Sequence, residues 1–290
     1  MKRLSNLFLQ FLLNSNLIIS LAAVSLSLAT QVLIGAGPRL QPCLLLIFGA
    51  CMTEYNLHRL MKYYVLPGHD RKLPFNRLSE NLKFTRSITF LSLLILAVSF
   101  VFLAPHSKWV FSISAMITLL YSIPSEGLAG KLSLRKVPFL KTFLVAVVWA
   151  IITVLIPFTE SYTSVAKETI AWIFAGRFLL IFSLALLFDM RDIETDEENG
   201  IQTIPVALGQ KRTLQVVTAL VVLFVFTTLI YSGLIGFNFH LISALLFAYY
   251  MLLVVKSPRA RSSSYYYPLY LDGSLIVYSL PVIIGWLIFV

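Results

Sequence analysis

Six of the thirteen acidic residues in this 290-residue chain fall within ten positions: Asp189, Asp192, Glu194, Asp196, Glu197 and Glu198. Three of them are spaced D-x-x-D-x-x-x-D. On an α-helix, positions i, i+3 and i+7 lie above one another on one face. The spacing therefore predicts a carboxylate stripe of Asp189, Asp192 and Asp196, with Glu194 and Glu198 turned elsewhere. Carboxylate oxygens suit a hard cation such as Mg²⁺, which typically takes one or two of them and completes its shell with substrate phosphate oxygens and water. The plainer reading is a solvated loop whose acids cap helices. Position argues against it, because Asp189 follows directly on Leu186-Leu187-Phe188. Asn199-Gly200 would end the helical turn, and Thr203, Pro205 and Gly209 lead back into an apolar run.

The elements that must position this stripe are membrane helices. The chain is 58% hydrophobic and 12% charged, with mean hydropathy +0.85, whereas soluble domains carry about 25% charged residues. These values predict a single all-α integral membrane domain over residues 1–290. The net charge of +10 then reports on topology. No basic cluster accompanies a groove-reading motif, so nucleic acid is excluded as a partner. Cys43 and Cys51 fall eight residues apart in one predicted helix, about 12 Å along its axis, too far to bridge each other.

Nine apolar runs are long enough to cross a hydrocarbon core: 15–35, 41–62, 86–104, 108–124, 140–158, 166–188, 213–236, 239–256 and 271–290. With the N-terminus inside, 18 basic residues lie in inner segments, against Arg39, Lys108 and Lys167 in outer ones. This asymmetry predicts an N-in, C-out topology. The inner connections 63–85, 125–139 and 189–212 are the longer ones and hold most of the polar residues. The working face is therefore expected to be cytoplasmic, in a bacterial-type inner membrane. Lys131, Arg135 and Lys136 read as inner-face anchors, and Tyr265, Tyr266, Tyr267 and Tyr270 as an interfacial belt. Arg177, about 18 Å before Asp189 along a helix, faces either the bundle interior or the outer interface.

DMRDIETDEENGIQTIPVALG, residues 189–209, resembles the second aspartate-rich motif of the UbiA-type intramembrane prenyltransferases: DxxDxxxD, a Gly, then Thr-x-Pro-x-x-x-Gly. Residues 119–150 resemble that family's junction of helices four and five, with Tyr121, Lys141 and Trp149 in the matching places. The resemblance implies a nine-helix bundle. It further implies a polyprenyl diphosphate bound with Mg²⁺ on Asp189, Asp192 and Asp196, and transfer of its prenyl group to an aromatic or lipid acceptor. Tyr121 and Lys141 would bind substrate.

The family's first motif, N-x-x-x-D-x-x-x-D, is only partly present. Asn56 stands in place, but Leu60 and Tyr64 occupy the two aspartate positions. Asn56, His58, Arg59 and Lys62 are the candidate substrate-binding residues there. Arg59 and Lys62, with Arg71 or Lys72, could hold the diphosphate directly. Alternatively Glu54 and His58, at i and i+4, form a structural pair while Arg59 and Lys62 reach to the headgroups. The missing acids also leave room for a catalytically lapsed relative that binds an isoprenoid or serves as a membrane partner. A transporter would need broken helices and mid-membrane charges in pairs. A CDP-alcohol phosphotransferase would need DGxxAR, and Asp272-Gly273 is followed instead by Ser-Leu-Ile-Val.

Overall fold

The computed structural model describes residues 11–12, 15–65, 82–122, 134, 137–161, 163–235, 238–257, 263 and 265–289. All regular structure among them is helical. The elements are α1 (Leu17–Leu33), α2 (Pro42–Val65), α3 (Leu82–Val101) and α4 (Pro105–Ser122). They continue with α5 (Leu140–Glu160), α6 (Lys167–Arg191), α7 (Ile193–Glu198), α8 (Ile204–Ile235), α9 (Asn238–Lys256) and α10 (Tyr266–Phe289). Among the described residues six helices, α3, α5, α6, α8, α9 and α10, are long and apolar enough to cross a membrane, and α1 is apolar but shorter. Helix α8 begins nine residues before the sequence reading placed it. Pro205 fits its first turn, where a missing N–H costs nothing, and Gly209 (φ 73°) then bends the helix.

Helix α6 packs between α5 and α8, while α1 lies against α2 and α10. The core is apolar where these meet: Leu26, Ala146, Leu180, Leu186, Phe224, Phe247 and Leu271 are fully enclosed. Helices α2 and α3 approach closely at Gly49. A Cβ there would lie 2.9 Å from the Leu96 backbone nitrogen and 3.0 Å from the Ser92 carbonyl oxygen.

Helix α5 widens into a π turn over Ile151–Leu155. Pro157 supplies the cause, since it cannot donate to the carbonyl four residues back, that of Thr153. That carbonyl instead accepts a hydrogen bond from Thr30 Oγ1 of α1 at 2.7 Å. Low-dielectric surroundings demand such replacement partners. Arg177 turns inward onto the same place, the first of the two positions open to it from sequence. Only 2% exposed, it donates to Thr153 Oγ1 (2.9 Å), the Leu26 carbonyl (3.2 Å) and Thr30 Oγ1 (3.3 Å). Cys43 and Cys51 are both free thiols.

Candidate active site

The acidic stripe is not one continuous helix. Helix α6 stops at Arg191, and Asp192 adopts φ −95°, ψ 10°. The short helix α7 then turns back. It ends in a doubled hydrogen-bonded cap: Gly200 N–H donates to the Glu197 carbonyl (3.0 Å) and Ile201 N–H to that of Asp196 (2.8 Å). Gly200 sits at φ 65°, the left-handed position that such caps require and glycine adopts most easily. The spacing thus identified the cap, but the expected single face is corrected. Two of the three acids converge on Lys141 across the break, and the third pairs with Arg191.

The two that converge are Asp189 (5% exposed) and Asp196 (3%). Lys141, also 5% exposed, lies between them. Its Nζ is 2.9 Å from Asp189 Oδ1 and 2.6 Å from Asp196 Oδ2. Thr142 Oγ1 donates to the other oxygen of Asp189. Lys141 reaches this position because the start of α5 is tied to the end of the acidic segment: Phe139 N–H donates to the Gln202 carbonyl at 2.9 Å. Asp192, by contrast, pairs with its neighbour Arg191, which donates to its carboxylate from Nε (2.7 Å) and Nη2 (3.1 Å). The Arg191 guanidinium also covers the Tyr267 ring at 4.9 Å, joining the end of α6 to the start of α10.

Two carboxylates and one ammonium leave one net negative charge in a buried place. Uncompensated charge there is costly, so the cluster has an electrostatic appetite for a cation. Asp196 Oδ1 accepts no hydrogen bond among the described residues. No three His, Cys, Asp or Glu side chains form a metal cage among the described residues. Mg²⁺ needs none, since it binds through one or two carboxylates plus phosphate and water. The donor set fits it.

Across the same end of the bundle, α2 presents a different polar group. Asn56, 1% exposed, spends its amide on structure. It donates to the Ser15 and Met52 carbonyls (3.2 and 2.8 Å) and accepts from Asn16 Nδ2 (3.1 Å). Arg59 Nη2 donates to Asn16 Oδ1 at 3.4 Å, so Asn56, Asn16 and Arg59 join α1 to α2. At the second vacant acid position, Tyr64 accepts a hydrogen bond from Arg86 of α3. Glu54 and His58 pair at 2.8 Å, and Ser122 of α4 joins them. Tyr121, next to Ser122, lies in electrostatic range of both Tyr55 and Lys141. It therefore lies near both the α2 helix and Lys141. Of the predicted site residues, the Lys62 side chain lies outside the described residues, as do Arg71 and Lys72. Lys131, Arg135 and Lys136 lie outside them too.

Sequence reasoning passed over Thr142, Ser122 and Arg191. The first two adjoin named residues, Lys141 and Tyr121. Nothing in the spacing of Thr142 or Ser122 marks them, because each is recruited by a helix distant in the chain.

The UbiA prenyltransferase family matches residues 54–276, well over half of the chain. The chain belongs to that family. No curated protein sequence matches it. Solved structures repeat its fold at low identity. The apo structure of a UbiA homologue from Aeropyrum pernix K1 superposes with a TM-score of 0.66 at 17% identity, covering 92% of this chain and 98% of that one. A UbiA homologue from Archaeoglobus fulgidus, bound to GPP and Mg²⁺, gives 0.59 at 15% identity over 94% and 98%. A digeranylgeranylglyceryl phosphate synthase gives 0.55 at 18% identity over 95% and 98%. With the apolar helices, family membership makes this UbiA-family chain an integral membrane protein of a prenyltransferase family.

Proposed function

We propose that this chain transfers a polyprenyl group from its diphosphate to a hydrophobic acceptor, aromatic or lipid, with Mg²⁺ as cofactor. The observation that carries this reading is the buried Lys141–Asp189–Asp196 cluster, which bears net negative charge at one end of an apolar bundle. Homologues bound to GPP with Mg²⁺ and to DMAPP with Mg²⁺ support it. The bundle crosses the membrane nine times with the N-terminus inside and the C-terminus outside. The 18-to-3 division of basic residues supports that topology. The cluster then faces the cytoplasm from a bacterial-type inner membrane.

Mg²⁺ held by Asp189 and Asp196, joined by Asp192 once it releases Arg191, would supply charge neutralisation for the departing pyrophosphate. Lys141 is the chain's own cation at that place, and its ammonium can turn from the carboxylates to the diphosphate. Arg59 and Lys62 on α2 are further diphosphate partners. Asn56 supports them by fixing α2 against α1. Tyr121, near Lys141, would bind the substrate on this reading, and an aromatic face there would stabilise developing positive charge. Enclosure among apolar helices withholds water from that carbon.

The second reading, a lapsed relative that retains an isoprenoid, is favoured by Leu60 and Tyr64 at the first-motif acid positions. One experiment separates the two. Radiolabelled farnesyl or geranylgeranyl diphosphate is added to purified wild type and Asp192→Ala, and Mg²⁺-dependent binding and pyrophosphate release are followed. Binding with release in the wild type, lost in the variant, is expected. Tight Mg²⁺-dependent binding without release in any acceptor mix would indicate the lapsed relative, and no binding would refute both.

A further inference from the structure

On α2, upstream of the two vacant acid positions at Leu60 and Tyr64, Glu54 and His58 are in mutual contact with Ser122 of α4. Ser122 Oγ donates to Glu54 Oε1 at 2.7 Å. His58 Nε2 lies 2.8 Å from the same carboxylate and 3.1 Å from Ser122 Oγ. An ionised carboxylate only accepts, and the one hydroxyl hydrogen of Ser122 is spent on Glu54. Nε2 must therefore carry the proton and donate to both. In a neutral imidazole the other nitrogen, Nδ1, then holds a lone pair. Nδ1 has no hydrogen-bond partner among the described residues. The His58 side chain is 30% exposed and the Glu54 side chain 27%, so neither is fully enclosed by the described helices.

The arrangement is not that of an activated serine. There the imidazole faces the hydroxyl with one nitrogen and the acid with the other. Here a single nitrogen faces both, and the hydroxyl proton goes to the acid. What remains is an imidazole fixed in one tautomer by a carboxylate, with its basic nitrogen free, the orientation that general-base catalysis requires.

We propose that His58 is the proton acceptor of the group-transfer step, with Glu54 and Ser122 as positioning residues. This rests on the prenyl-transfer reading. In that step the allylic C–O bond breaks and its electron pair leaves with pyrophosphate. The acceptor's nucleophilic atom donates a pair to the allylic carbon and forms the new bond. The acceptor's proton passes to Nδ1, giving an imidazolium that the Glu54 carboxylate stabilises. Water takes the proton when product departs. His58 thus serves the acceptor side of the reaction, and Lys141 with the aspartates the diphosphate side.

The test uses the full chain in host membranes, whose own lipids and phenols are the acceptor source. Radiolabelled farnesyl diphosphate with Mg²⁺ is the donor, and label transferred to other molecules is counted. Diphosphate binding is measured in parallel on purified protein. His58→Ala is expected to lose transfer by roughly 10²–10⁴-fold, the usual contribution of a general base, with diphosphate affinity changed less than about twofold. Added imidazole should restore part of the transfer, which also shows that the variant is folded. Glu54→Gln should lower transfer while shifting the His58 ring away from its Nε2–H tautomer in ¹⁵N spectra. Transfer by His58→Ala at the wild-type rate overturns the proposal, as does a variant that loses binding in step with transfer. If wild type binds no diphosphate, the prenyl-transfer reading falls and the proposal with it.

Discussion

Replacing Lys141 by methionine tests the centre of the site. Met preserves most of the side-chain length and removes the ammonium, which leaves Asp189 and Asp196 facing each other without a counter-charge. Both lie at 5% exposure or less, so water cannot screen them. Removing one partner of a buried ion pair costs about 3–5 kcal/mol, and here one ammonium serves two carboxylates at 2.9 and 2.6 Å. At about 2–4 °C per kcal/mol for a large domain, the melting temperature should fall by roughly 6–20 °C. The assay is thermal unfolding in detergent, followed with a thiol-reactive dye. Cys43, 0% exposed, reports core opening. Asp196→Asn and the double variant complete a cycle. The double variant should be more stable than the sum of the single losses implies, by about 1 kcal/mol or more, because the second change removes the charge that the first stranded. Millimolar Mg²⁺ should stabilise Lys141→Met more than wild type, since the divalent ion can take the vacated place. A loss below about 1 kcal/mol, with strictly additive single effects, would refute an ammonium bridging the two acids.

Three further substitutions probe how the site is held. Gly200→Ala forces an L side chain into φ 65° and should cost about 1 kcal/mol. It should also weaken Mg²⁺-dependent diphosphate binding, because the cap sets where Asp196 points, and calorimetry with farnesyl diphosphate checks this. Gly49→Ala places a Cβ 2.9 Å from the Leu96 backbone nitrogen, where no side chain can yield, and should cost about 1–3 kcal/mol in thermal unfolding. Arg177→Met should change stability by less than about 1 kcal/mol or raise it. Its partners keep other bonds, Thr30 Oγ1 to Thr153 O at 2.7 Å and Thr153 Oγ1 to Trp149 O at 2.7 Å. A buried charge is also expensive to retain. A loss above about 2 kcal/mol would show that the guanidinium holds the π turn in place.

The membrane class, the helical content and the aspartate-rich segment were legible in the sequence because each rests on local chemistry. Apolar runs declare themselves by length, and Asn199-Gly200 marks a helix end through the backbone preference of glycine alone. The pairing of Lys141 was not legible by physics. It lies 48 residues before Asp189 in the chain and meets it because α5 packs on α6, with Phe139 tied to Gln202. Only the resemblance singled that lysine out. The helical periodicity that placed Asp192 with its neighbours failed for a related reason. A single residue outside helical geometry rotates everything after it, and nothing in D-x-x-D-x-x-x-D signals the break.

The sequence by itself determined that this chain folds as membrane helices and that a cluster of acids stands where one of those helices ends. Hydrophobicity and spacing are properties of neighbours, and they survive without a fold. Only the tertiary structure decided which acids share the Lys141 ammonium, that Asn56 ties α1 to α2, and that His58 Nδ1 has no partner among the described residues. Each of these depends on a partner from another helix. Whether a buried polar group is spent on structure or left open for chemistry is settled by those partners, because in a low-dielectric interior every hydrogen-bonding group must find one.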